Sequence, residues 1–196
     1  MKTFGLALAA LAALALSACY PPTTTHPVGT TVGLKSDPAL IGTWKSGPDP
    51  DRKPGEFYYY HFLTNKDGIL VVMVPSTGGE ASDVIAADIT TAQFGKFGVM
   101  NATLVPPPDS DDKEPMPHSV PILYRTDAEG RITLYLPDED ATKDAIKAGK
   151  IAGDPGKSGT DDAVITADGP ALDKFIASKE GQALYTKPFA VLTKLN

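Results

Sequence analysis

The sequence predicts a mainly β protein with two helices: an antiparallel sheet, strongly curved or closed into a barrel, with the helices packed outside it. Three observations carry this expectation. Apolar residues recur in short runs and often in strict alternation, the period of a strand rather than a helix. Gly and Pro, 18 of each in 196 residues, punctuate those runs. Successive runs are also joined by turn-forming residues at hairpin spacing. The roughly 155 residues beyond Leu40 suffice for one domain with its own core.

The elements follow in chain order. Asp37-Pro38 makes a short turn, and Ile41 to Ser46 a first strand. Glu56 to Thr64, EFYYYHFLT, is aromatic-rich and strand-forming. Asn65-Lys66-Asp67-Gly68 turns the chain, with Gly68 suited to a positive φ, and Ile69 to Val74 returns as the partner strand. Ser82 to Thr91 and Phe97 to Val105 pair around Gly95. In the third hairpin Val120, Ile122 and Tyr124 alternate against Ser119, Pro121 and Arg125, Asp127 to Gly130 turns, and Ile132, Leu134 and Leu136 alternate with Arg131, Thr133 and Tyr135 in return. Three acids from Asp138 start a helix that stops at Gly149, because carboxylates favour the positive end of a helix dipole. Asp168-Gly169-Pro170 caps a second helix whose apolar face is Leu172, Phe175 and Ile176, and Pro188 to Leu195 is a closing strand.

Ile69 to Val74 is apolar at every position, so both of its faces need cover. The helix from Pro170 is the expected outer cover. If the barrel encloses a cavity, Phe57, Tyr59, His61, Ile69, Val71 and Met73 are its candidate lining, suiting a small apolar or amphipathic ligand.

The chain opens MKTFGLALAALAALALSACY. Its apolar stretch of about thirteen residues is shorter than the roughly twenty needed to cross a bilayer. With Lys2 ahead of it, it reads as a signal peptide spanning 1–18. Leu16-Ser17-Ala18-Cys19 resembles the lipobox of bacterial lipoproteins. That resemblance implies cleavage before Cys19, fatty acylation of its sulfur and new amino group, and a membrane anchor without a spanning helix. Cys19 is the only cysteine, so no intramolecular disulfide competes for it. Because Tyr20 is not the aspartate that retains enteric lipoproteins at the inner membrane, the resemblance implies an outer-membrane anchor facing the periplasm in an organism with two membranes. Residues 19–37, rich in Pro, Thr and Gly, read as a flexible tether, and 38–196 as a single β-rich domain. Loss of Lys2 moves the formal charge from −6 to about −7, which argues against nucleic acid and against electrostatic adhesion to anionic lipid.

Leu40-Ile41-Gly42-Thr43-Trp44 is similar to the Gly-x-Trp start of the first strand in lipocalin-type barrels. The resemblance implies a glycine that permits close approach, an indole plugging the closed end, and a cation from Lys194 or Lys187 lying across it. The same GTW strand is similar to that of uncharacterised bacterial lipoproteins, a likeness that implies no activity.

No catalytic residue, metal ligand set or cofactor motif is assigned. Gly153 to Ser158 imitates the end of a phosphate-binding loop, but Ile151 stands where that loop needs glycine. Ser110-Asp111-Asp112-Lys113 has the spacing of penicillin-recognising enzymes without the helix they require. The acids Asp109 to Glu114 lack the ligand order and turn glycine of a calcium loop. His26 stands alone as a solvated side chain, and His61 reads as a core imidazole with no nucleophile or carboxylate partner. The expectation is therefore binding rather than catalysis, with a membrane partner through Cys19. The alternative is a solid-cored module that meets an envelope protein through Pro106 to Pro117.

Overall fold

A computed structural model describes residues 21–47, 55–66, 68–77, 84–106, 118–157 and 162–195. Eight strands form a closed antiparallel barrel: β2 (Gly42–Ser46), β3 (Tyr58–Asn65), β4 (Gly68–Pro75), β5 (Ile85–Phe94), β6 (Phe97–Val105), β7 (Val120–Thr126), β8 (Ile132–Tyr135) and β11 (Pro188–Lys194). The strand from Pro188 closes it, pairing with β8 through Leu192↔Ile132 and with β2 through Lys194↔Trp44. A small second sheet joins β1 (Thr23–Thr24), β10 (Val164–Ile165) and β9 (Gly153–Asp154).

Both expected helices form, as α1 (Glu139–Lys147) and α2 (Gly169–Ala177), and a four-residue α3 (Lys179–Gln182) follows. Asp138 and Asp168 each accept a backbone N–H at 2.9 Å, from Ala141 and Ala171, satisfying donors that the first turn leaves free. The helices do not cover β4 as expected. Leu172, Phe175, Ile176 and Ile146 pack with Val99 of β6 and Leu123 of β7, on the outer face of the wall two and three strands round from β4. Leu123 is fully buried there while its neighbour Tyr124 points inward, so β7 is covered on both faces rather than half-buried. Leu70, Val72 and Val74 of β4 are left half-buried on the outside.

The hairpin before β4 is tighter than the sequence implies. Gly68 is not among the positive-φ glycines and is already the first residue of its strand. Its lack of a side chain is needed for packing, since a Cβ would stand 2.5 Å from the Ile89 carbonyl oxygen.

Residues 21–36 are not a free tether. Thr23 and Thr24 are buried, Val28 is fully buried, and β1 pairs in parallel with β10. Thr24 exchanges backbone hydrogen bonds with Ser119, and Lys35 does so with Thr91. Val28 exchanges two more with the Asn101 side chain, at 2.7 and 2.9 Å. The buried Asp173 carboxylate accepts from the Gly29 N–H and from the N–H and hydroxyl of Thr31, at 2.7 and 2.6 Å for the latter two. The segment is thus a strap running down the barrel wall from the start of β7 to the β5–β6 hairpin. Its composition resembles a linker, but long-range partners satisfy its polar groups.

Candidate functional site

The barrel interior is graded from one end to the other. At the end where the short hairpins gather, termed the narrow end for its closure, the 3-10 turn Pro38–Leu40, capped by Asp37, closes the base. Leu40 accepts a 2.7 Å hydrogen bond from the Trp44 indole, and Trp44 is 3% exposed. Gly42 sits at φ 131°, and a Cβ there would lie 2.9 Å from the Lys194 side chain, so glycine is what lets the lysine pass. The Lys194 ammonium then lies 5.2 Å from the indole centroid.

At the same end, on β7 and β5, each three strands round from β2, the Tyr124 hydroxyl donates to the Asp37 carboxylate at 2.7 Å, and the Gln93 amide donates to both. Burial, with the Asp37 carboxylate beside it, pushes Tyr124 well above the ordinary phenol range. The hydroxyl therefore stays a donor, and the network fixes the strap to the barrel. Above it Phe62, Ile69, Met100 and Leu192 each expose 1% or less, which leaves no water-sized gap between them.

The opposite end, termed wide because no such closure stands over it among the described residues, differs. Tyr58, Met73, Leu104, Ile122 and Ala190 share the same core but are only half-buried. Ile85, paired with Met73, is 42% exposed. The long connections 47–57, 76–84 and 106–119 all leave from this end, whereas the short hairpins lie at the narrow one. An apolar ring thus stands over a packed floor.

The six residues expected to line one cavity divide between the two faces of the wall. Ile69, Val71 and Met73 point inward with Tyr60 and Phe62. Phe57, Tyr59 and His61 fall on the opposite parity and lie outside, because side chains alternate faces along a strand. Their aromatic surface is used locally: Phe57 meets Tyr59 edge to face at 5.0 Å and takes the Lys45 ammonium at 4.0 Å. His61 is not a core imidazole. It is half-buried on the outer surface, with Nδ1 3.0 Å from the Thr43 hydroxyl. The inward aromatics Tyr58, Tyr60 and Phe62 were hidden in sequence by an EFYYYHFLT run that is aromatic on both parities.

A second concavity of about 370 Å³ lies between the strap and the outer wall of β5 and β6, edged by Thr25, Asp88, Thr90, Thr103, His118 and Ser119. The Asn65 amide donates to Asp88 at 2.8 Å, and His118 Nδ1 is buried without a hydrogen-bond partner. Among the described residues no group of His, Cys, Asp and Glu could hold a metal ion, and no helix is long and apolar enough to cross a membrane. Cys19, the Ser110 to Lys113 tetrad, the acids Asp109 to Glu114 and Ser158 lie outside the described residues, as does most of Pro106 to Pro117.

The chain is a β-barrel domain with a buried hydrophobic core, and in comparison with known proteins it matches no family model, no curated protein and no solved structure.

Proposed function

We propose that this is a lipid-anchored cell-envelope protein, held by acyl groups on Cys19, whose barrel takes a small apolar or amphipathic ligand at its wide end. In an organism with two membranes its place is the outer membrane, facing the periplasm. The single observation that supports ligand binding is the half-covered apolar ring of Tyr58, Met73, Leu104, Ile122 and Ala190 over a filled floor. A packed floor limits the ligand to the mouth, a shallower seat than a deep calyx. The role is binding rather than catalysis. The likeness to lipocalin-type barrels rests on Gly42, Trp44 and the Lys194 cation across the indole.

A neutral apolar fluorophore, N-phenyl-1-naphthylamine, tests the seat. It should bind the purified protein saturably, and Met73→Glu should weaken that binding by about tenfold or more, since a charge would be placed in the apolar ring. Leu63→Glu, on the exposed outer face, should leave it unchanged. Absence of saturable binding, or an equal loss in both variants, overturns the ligand reading. For the anchor, intact mass should show acyl groups on Cys19, and Cys19→Ser should leave the membrane fraction.

A second reading, a solid-cored module that meets an envelope protein, is favoured by a separate observation: Leu63, Phe189 and Val191 are exposed on the outer wall at 49%, 49% and 37%. Unchanged fluorophore binding in Met73→Glu, together with loss of a cellular crosslink in Val191→Glu, would select it.

A further inference from the structure

We infer that the barrel is held with its wide end against the lipid bilayer, so that the apolar ring faces the membrane surface. The inference rests on the anchoring of Cys19 proposed above and adds an orientation to it. Its first support is the length of the leash. Pro22 is already buried and Thr23 is already paired, with its N–H donating to the Ala163 carbonyl at 3.1 Å. Only three steps of chain separate Cys19 from Pro22, and fully extended they reach at most about 11 Å.

The second support is where that leash attaches. Thr24 pairs with Ser119, immediately before β7 begins, and from there the strap runs away toward the narrow end. The nine residues of β6 span about 30 Å along the strand, or roughly 20–25 Å along the barrel axis at the usual tilt. An anchor so close to the wide end cannot bring the Lys96 hairpin to the same membrane unless the strap comes off.

The third support is the chemistry of the end that is held close. It carries the half-covered ring of Tyr58, Met73, Leu104 and Ile122, which suits hydrocarbon or a lipid drawn from the surface. The sequence of the connections leaving that end is rich in acids, so charge would repel anionic headgroups. The leash, rather than electrostatic attraction, therefore sets the orientation. An extracted lipid would travel only a short distance from bilayer to ring.

With Cys19 acylated, a new cysteine is the only free thiol. Thr77→Cys at the wide end and Lys96→Cys at the narrow end, each made in the full lipidated protein and labelled with bimane, can be placed in phosphatidylcholine vesicles carrying headgroup nitroxides. Short-range quenching should be at least about threefold stronger at position 77, because the two labels differ in height by most of the barrel. Ten Gly/Ser residues inserted between Tyr20 and Pro21 should erase most of that difference. Equal quenching, or stronger quenching at position 96, in protein whose mass shows an acylated Cys19 overturns the orientation alone. A free Cys19 thiol in the mature protein overturns the anchoring and the orientation together.

Discussion

The two ends of the barrel are built from the same eight strands and the same kinds of side chain, yet they are finished differently. The narrow end is closed by Leu40, by the Trp44 indole bonded to it, and by the Asp37, Gln93 and Tyr124 network. The wide end has no such plug among the described residues, and although Val120 is buried there, its inward side chains Tyr58, Met73, Leu104, Ile122 and Ala190 stay half-buried. A closed eight-stranded barrel is just wide enough for side chains to fill. What separates a floor from a mouth here is therefore the strap and its 3-10 turn, which cover one end.

The largest expected effect tests that contrast directly. Phe62→Ala removes a 1%-exposed ring from the packed floor, and the loss of burial plus the cavity left behind should cost about 3–5 kcal/mol. Met73→Ala on the same core, but in the open ring, should cost about 1–2 kcal/mol, because its side chain already meets solvent. Denaturant unfolding of both variants measures the difference. Equal losses would mean that the wide end is as tightly packed as the floor.

A smaller effect asks whether the strap makes the difference between the ends. Asp173→Ala takes away a buried carboxylate that holds Gly29 and Thr31 through charge-assisted hydrogen bonds, and should cost about 3 kcal/mol. Hydrogen exchange localises the result. Amides of Val28, Gly29 and Thr31 should lose protection, together with Trp44 and Tyr124 at the narrow end, while those of Met73 and Leu104 keep theirs. Uniform loss across the barrel would instead make the strap part of one global unfolding unit.

Where the strands lie was legible because the signal is local. Alternation in Ile132 to Leu134, turn residues at Asp127 to Gly130, and acids at Asp138 and Asp168 act within a few residues of one another. Parity was not legible in β3. EFYYYHFLT puts an aromatic on both faces, and a one-residue choice of register decides which set faces the core. Phe57, Tyr59 and His61 went outside because Tyr60 pairs with Met73 and Phe62 with Val71. The strap was illegible for a different reason. Its Thr, Gly and Pro look like a linker until Asn101 and Asp173, far along the chain, satisfy its backbone. The helix cover followed Val99 and Leu123, which are single outward positions within strands and were weaker signals than the wholly apolar run at Ile69 to Val74.

The smallest effect concerns the Gly-x-Trp corner of the closed end. Lys194 comes from the last strand, passes over Gly42 and sets its ammonium 5.2 Å from the Trp44 centroid, with the Ala39 carbonyl 3.4 Å from the same nitrogen. The lysine is solvent-exposed, so its attraction to the indole should be worth only about 0.5–1 kcal/mol. Lys194→Met keeps the apolar stem over the ring and removes the charge. Its cost should therefore fall in that range, and the Trp44 emission should change little, because burial of the indole comes from Leu40 and the barrel wall. A loss of several kcal/mol, or a red-shifted Trp44, would make the lysine a plug in its own right and move the closure of the narrow end from the strap to the last strand.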